Sequence, residues 1–299
     1  MKFSKTLKNL TLITSVTLGV SALCLQQANA HARWVVPSHT VVSGDKPMAI
    51  SFDYSISNAI FHPDIPMGGA ELIKANKPDS AGNPMMNIME KTQASVTDPS
   101  GNTKGVPSVN LGRKTSSYFT AEAPGTFRID ITQPAIEVTL FKTKEGEAQR
   151  LFGKLADVKD KLPKGAKDIE SLQFNNRIQT FVTHNQISLE TLKPTGTGLE
   201  VVHKTHPNEL FAGEKSSYQL TLNGKPVKDA STSHIKITKD GTRFRNQRAS
   251  LEPTLSKAGE FSVDWPEAGF YLVEIDHEIT TANGKVVYAL FLTVEIQPE

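Results

Sequence analysis

Met48-Ala49-Ile50-Ser51-Phe52-Asp53-Tyr54-Ser55-Ile56 places an apolar residue at every second position, with small or polar residues between. A period of two is the repeat of a β-strand with one face in a core and the other towards solvent. The C-terminal third repeats the pattern with turns attached. Tyr218, Leu220 and Leu222 run into Asn223-Gly224, Ile235 and Ile237 precede Asp240-Gly241, and Asn283-Gly284 introduces the stretch from Val286 to Ile296. Asn-Gly and Asp-Gly tolerate the positive φ of tight hairpins, so residues 199–299 read as an antiparallel, immunoglobulin-like β-sandwich.

Two phrases recur and extend this reading to the first half. Ser43-Gly44-Asp45-Lys46 leads into the strand at Met48, as Ala212-Gly213-Glu214-Lys215 leads into the strand at Tyr218. Ala123-Pro124-Gly125-Thr126-Phe127 and Glu267-Ala268-Gly269-Phe270-Tyr271 each pass from a turn into an apolar strand. The fold class predicted is therefore all-β, with two antiparallel β-sandwich domains over 31–195 and 199–299. Lys193-Pro194-Thr195-Gly196-Thr197-Gly198 has linker composition between them.

Two irregularities interrupt the first domain. Residues 57–95 hold Pro63, Pro66, Pro78 and Pro84 and predict a long loop or extended insertion. Ala148, Leu151, Phe152, Leu155 and Val158 recur at steps of three and four and predict one short amphipathic helix near 145–160, ending before Pro163 and capping a sheet edge.

Residues 1–30 read as a secretory signal peptide. Lys2, Lys5 and Lys8 form a basic start, Leu10 to Leu25 is apolar, and Ala28-Asn29-Ala30 is the small-x-small cleavage pattern. Leu23 stands before Cys24 where a lipoprotein would carry Gly or Ala, so cleavage after Ala30 is the expectation. His31 then becomes the first mature residue, in a soluble protein of the periplasm with no stable membrane insertion.

Removing the three signal lysines takes 33 basic residues to 30 against 31 acidic ones, a net charge near −1. That charge supplies no argument for nucleic acid or an anionic membrane as partner. The single cysteine lies in the signal, so thiolate chemistry and disulfides are excluded from the mature chain. No Gly-x-Ser-x-Gly, glycine-rich phosphate loop or Cys/His cluster with structural zinc spacing occurs. No enzyme class is indicated.

A terminal histidine offers two nitrogen donors from one residue, the free α-amino group and the imidazole. Together they can chelate a divalent transition metal such as nickel, cobalt, copper or zinc. A further histidine would complete a three-nitrogen site. His39, His62, His184, His203, His206 and His234 are available, and His277 reads as structural on the face of Tyr271, Val273 and Ile275. His62, in the Pro-rich segment, and His184, at the end of a strand, share the first domain with His31 and are the preferred partners. Met67, Met85, Met86 and Met89 offer soft thioethers but read more simply as flexible filler. Arg243, Arg245 and Arg248 read as a solvated edge that could engage an acidic partner.

With these residues in view, the chain resembles the bacterial periplasmic proteins of the domain-of-unknown-function family 4198, often described as a periplasmic component of cobalt or nickel transport. The resemblance starts at His31-Ala32-Arg33-Trp34-Val35-Val36-Pro37 and continues through Ile65-Pro66-Met67, Phe181-Val182-Thr183 and Gly198-Leu199-Glu200-Val201-Val202. It runs on through His206-Pro207-Asn208-Glu209-Leu210-Phe211-Ala212-Gly213-Glu214, Gly224-Lys225-Pro226-Val227 and Gly241-Thr242-Arg243-Phe244-Arg245-Asn246, to Trp265-Pro266-Glu267-Ala268-Gly269. Many relatives have Asp after the first histidine and Leu after the Trp, where this chain has Ala32 and Val35. The resemblance implies a non-enzymatic periplasmic protein that binds a divalent transition metal and serves its uptake or handling, with an envelope transporter or receptor as partner. An envelope interaction module without metal is the alternative, and a copper monooxygenase of the histidine-brace kind is the third.

Overall fold

The structure, a computed structural model, describes residues 32–69, 84–244 and 251–299. The alternating stretch forms β3 (Met48–Ser57), with Ile50, Phe52 and Tyr54 turned into a core at 1% exposure or less. It pairs with β1 (Ala32–Pro37), β8 (Thr115–Ala121) and β4 (Ile65–Pro66), and β7 (Ser108–Asn110) continues this first sheet beyond β8.

The largest sheet runs in the order β16 (Ser233–Lys239), β18 (Gly269–Thr281), β19 (Gly284–Ile296), β12 (Lys167–His184), β9 (Gly125–Thr132), β5 (Gln93–Thr97) and β6 (Thr103–Val106). Onto β12 also pair β2 (Val41–Val42) and β10 (Ile136–Lys142), and β10 carries β11 (Ala148–Phe152). A third sheet contains β13 (Leu199–His203), β14 (Lys215–Leu222), β15 (Lys225–Pro226) and β17 (Glu260–Asp264). The fold is all-β, as the alternation predicts.

Strand alternation explains how the sheets stack. Along β12, Ile178 and Val182 enter a core with Ile50, Phe52, Phe119 and Ile129, whereas Phe181 enters the core of Leu199, Leu220, Phe261 and Trp265. Even and odd positions of a strand face opposite ways. The large sheet is thus the middle layer, with the first sheet on one face and the third sheet on the other. Residues 31–299 form one compact unit, in which each half has its own core while β12 and β19 lie side by side.

That β12–β19 pairing is parallel, Leu172 opposite Lys285 through Gln179 opposite Leu292, and β2 also pairs parallel with β12. The other ladders are antiparallel, the arrangement expected throughout. Parallel neighbours need a long connection between them, and residues 185–283 provide it.

The turns follow their residues unevenly. Asn223 and Gly224 take φ of 50° and 75°, the two left-handed positions of a tight hairpin joining β14 and β15. Asp240-Gly241 instead opens a loop with a short 3₁₀ turn at Thr242–Phe244, and the chain returns at Leu251 opposite Ile237.

The helix predicted near 145–160 needs correction. Residues 148–152 are β11, hairpinned onto β10, and helix occupies only Leu155–Val158, followed by a 3₁₀ turn at Lys159–Lys161. Gly153 breaks the continuity at φ 131°, where a Cβ would lie 2.7 Å from Val158. In the segment 57–95 an eight-residue helix, α1 (Pro84–Lys91), precedes β5 and buries Met86 and Ile88. The 155–158 turn is accordingly α2.

Candidate functional site

The described chain begins at Ala32, and β1 is fixed from its first residue. Ala32 pairs opposite Ser57 and is 1% exposed, clustered with Trp34, Ile60 and Leu272. The Trp34 indole N–H donates to Ser57 Oγ at 2.8 Å, and Ser57 Oγ donates to the Ala59 carbonyl at 2.6 Å. One hydroxyl therefore ties the first strand to the start of the loop that follows β3.

That loop carries His62. Its backbone N–H closes a turn on the Ala59 carbonyl at 3.0 Å, and no described residue occupies its ring. Phe61, just before it, sits at φ 61°. A left-handed phenylalanine is strained by about 1–3 kcal/mol and persists only where its surroundings impose it. Here the Phe61 ring is held edge-on by Trp34 at 5.8 Å and Phe270 at 6.1 Å. The Ile60 N–H donates to Thr242 Oγ1 at 3.1 Å, which ties the loop to the 242–244 turn. His62 is thus a half-buried residue of this anchored loop, five residues past Ser57, the partner of Ala32, while His31 lies outside the described residues.

His184 is not brought to this place. It ends β12, 3% exposed, with Nδ1 3.2 Å from the Ala123 carbonyl and Nε2 3.2 Å from the Gly44 carbonyl. Each ring nitrogen faces a backbone carbonyl oxygen at hydrogen-bonding distance, so the directions from which a metal would approach are both occupied by protein atoms. Gly44 precedes β3 and Ser57 ends it, so His184 and the His62 loop lie at opposite ends of a strand about 30 Å long. A strand ending tells nothing of burial, and that is what the expectation for His184 lacked.

The remaining histidines are tied into the structure or stand apart. His206 Nε2 meets Thr126 Oγ1 at 3.0 Å, and its Nδ1 accepts the Asn208 N–H at 3.2 Å. Asn208 in turn accepts from Thr183 Oγ1 at 2.9 Å and donates to the Phe181 carbonyl at 3.1 Å. His206 and Asn208, two marks of the resemblance, therefore join the 204–210 segment to β9 and β12. His277 Nδ1 bonds Ser233 Oγ at 2.7 Å.

His203 is held edge-on between Phe181 and Tyr218, at 5.2 and 5.7 Å. Among the described residues no group bonds either of its ring nitrogens, which are sealed from solvent beside a cavity of about 10 Å³ lined by Arg128, Gln179 and Glu200. Burial pushes its pKa down to about 3, with His206 adding to the shift. Among the described residues no group of three His, Cys, Asp or Glu side chains is placed to hold a metal ion. Met67 is 1% exposed in the first core, consistent with the filler role.

One charged residue near the N-terminus went unnoticed in the sequence. Arg33 stands beside the buried Ala32 and Trp34, itself partly buried. Its Nε donates to Gln133 Oε1 at 2.9 Å, and its guanidinium lies 5.8 Å from the centroid of Phe291. Burial lowers its pKa to about 10. An arginine set within a strand of otherwise apolar residues was the available signal.

The family model described as Domain of unknown function (DUF4198) matches residues 28–279. No curated protein matches the chain. Among solved structures, a DUF4785 family protein from Legionella pneumophila is 9% identical, with 91% of this chain and 49% of that chain covered at a TM-score of 0.25. This chain thus spans about half the length of that structure. An Escherichia coli adhesin, FdeC, is 10% identical over 86% of this chain and 63% of its own, at a TM-score of 0.19. A chimeric titin Z1Z2 is 13% identical over 89% and 98%, at 0.18. No functional weight rests on likenesses at these scores.

Proposed function

We propose that this chain, which belongs to the DUF4198 family, is an exported, non-enzymatic protein that binds a divalent transition metal through His31 once residues 1–30 are removed. The observation that carries the reading is the anchoring of β1. Its first residue, Ala32, is buried and paired with Ser57, so a terminus created at His31 would hang one residue from a rigid strand.

The α-amino and imidazole nitrogens of His31 would supply two donors, and His62, on the rigid loop five residues past Ser57, would supply the third. Amine and imidazole donors suit nickel, cobalt, copper and zinc over magnesium or calcium. The metal supplies a positive charge and open coordination positions when bound. The chain's own part is to hold the nitrogens and keep them unprotonated, which sets a lower pH limit near the imidazole pKa of about 6.5. In the periplasm such a protein serves metal uptake or handling beside an envelope transporter or receptor.

Equilibrium dialysis against nickel, cobalt, copper and zinc, with metal analysis, tests this on protein whose intact mass matches residues 31–299. Stoichiometric binding of one or more of these metals, lost on acidification below about pH 6.5, is expected. Absence of binding to all four overturns the reading.

A further inference from the structure

The cavity beside His203 is lined in part by a strap of chain, Thr191 to Pro194. β9 and β12 add Arg128 and Gln179 to the lining, and β13 adds Glu200 and Val201. At about 10 Å³ the space admits one water at most. A water can give one ring nitrogen a hydrogen bond, but it brings no counter-charge.

The charged groups around the ring are committed elsewhere. On β9, Arg128 donates to Asp130 and to the Thr191 carbonyl, each at 2.7 Å. On β12, Gln179 donates to Asp130 at 2.9 Å. Glu200 receives Arg177 at 2.6 Å and the Thr195 and Gly196 backbone N–H groups at 2.8 and 2.9 Å. Lys193 pairs with Glu190, Lys204 with Glu260, and the Tyr218 hydroxyl with Ser216. His206, on the next segment, is held below its ordinary pKa by burial, with Glu209 acting the other way. A proton on His203 in the closed structure is therefore a charge withdrawn from water without a counter-ion.

The strap is the neighbouring element that yields most cheaply. β13 is laddered to β14 from Leu199 opposite Leu222 to His203 opposite Tyr218, and β12 to β9 from Thr180 to His184. Residues 192–194 belong to no ladder. The Leu192 and Lys193 N–H groups reach the Leu189 and Glu190 carbonyls only at 3.2 and 3.3 Å, and Pro194 has no N–H to give. Chain held by few bonds opens before laddered strands.

We infer that His203 and the strap Thr191–Pro194 form a pH-sensitive latch, in which a proton is admitted to the imidazole when the strap lifts, so that acid opens the strap while the sheets stay folded. In the open strap the imidazole regains its ordinary value of about 6.5, so opening grows below that pH by up to about tenfold per unit. The strap leads from β12 into β13, and its release loosens the crossing between the two cores. The latch uses none of the proposed metal ligands and does not rest on them.

Hydrogen exchange read by mass spectrometry tests this on metal-free protein of residues 31–299, at about pH 7.5 and about pH 5, with times scaled for the intrinsic rate. Peptides spanning 189–198 should exchange at least roughly tenfold faster at the lower pH, while peptides from β18 and β19 keep their protection. In His203→Phe and in His203→Gln, neither of which titrates, the acceleration should vanish; if one fails to fold, the other decides. Equal strap protection at both pH values, or the same acceleration in a folded variant, overturns the proposal. So does loss of protection in β18 and β19 together with the strap, which would assign the proton to global unfolding.

Discussion

The Trp34 indole meets the Phe61 ring edge-on with centroids 5.8 Å apart, joining the first strand to the loop that carries His62. Removing the ring in Phe61→Ala should cost up to about 3 kcal/mol of stability, since the side chain is only partly buried. It should also weaken metal binding by freeing His62. Urea denaturation and metal dialysis on the same variant check both. Loss of stability with unchanged metal affinity would show that the loop does not position a ligand.

The ion pair of Arg177 and Glu200 spans β12 and β13 at 2.6 Å, and Glu200 also accepts from the Thr195 and Gly196 backbone N–H groups. Truncating either partner leaves the other charge buried, so Glu200→Ala or Arg177→Ala should each cost about 3–5 kcal/mol. The double variant should cost clearly less than the sum, and a double-mutant cycle by denaturant unfolding measures the difference.

Acid should destabilise the fold through its buried histidines. His203 is pushed down to about 3, whereas its ordinary value is 6.5. Between those values the unfolded chain binds the proton and the folded chain does not. The His203 contribution is therefore intact above about pH 6.5 and lost as pH falls towards 3, at up to about 1.4 kcal/mol per pH unit.

Asp276 acts in the opposite sense. Burial raises it to about 6, so the folded state takes up its proton first and gains stability as pH falls from about 6 towards 3.8. Unfolding free energies at several pH values, compared between the natural protein and His203→Phe, isolate the histidine. The variant should lose less stability on acidification, and parallel profiles would refute the assignment.

Gly284 opens β19 at φ 120°, where an added Cβ would stand 2.3 Å from the Ser171 carbonyl oxygen. Both the dihedral and the contact with β12 oppose a side chain. Gly284→Ala should therefore destabilise by about 1–3 kcal/mol. Unchanged thermal unfolding would mean that the β12–β19 edge adapts freely.

Much of the fold was legible because its signals are local. Alternation from Met48 to Ile56 and the dihedral tolerance of Asn223-Gly224 each act within a few residues. The parallel join of β12 and β19 was not legible, since its partners stand more than a hundred residues apart and packing on both faces selects their register. The spacing from Ala148 to Val158 misled because apolar residues three and four apart also fit a strand, a glycine break and one helical turn. Among the candidate ligands, His62 and His184 looked equivalent in sequence. Carbonyl oxygens at both nitrogens of His184 separate them, and such contacts come from turns distant in the chain.

The most direct measurement compares metal affinity in the natural mature protein, in His31→Ala, and in a protein with one additional Gly before His31. The extra residue keeps the imidazole and moves the amine, while the buried start of β1 at Ala32 is left in place, so folding should survive. Chelation through the terminus predicts that both changes weaken binding to a similar extent. Undiminished binding by the Gly-extended protein would show that the amino group is not a ligand, and undiminished binding by His31→Ala as well would contradict the proposed metal site.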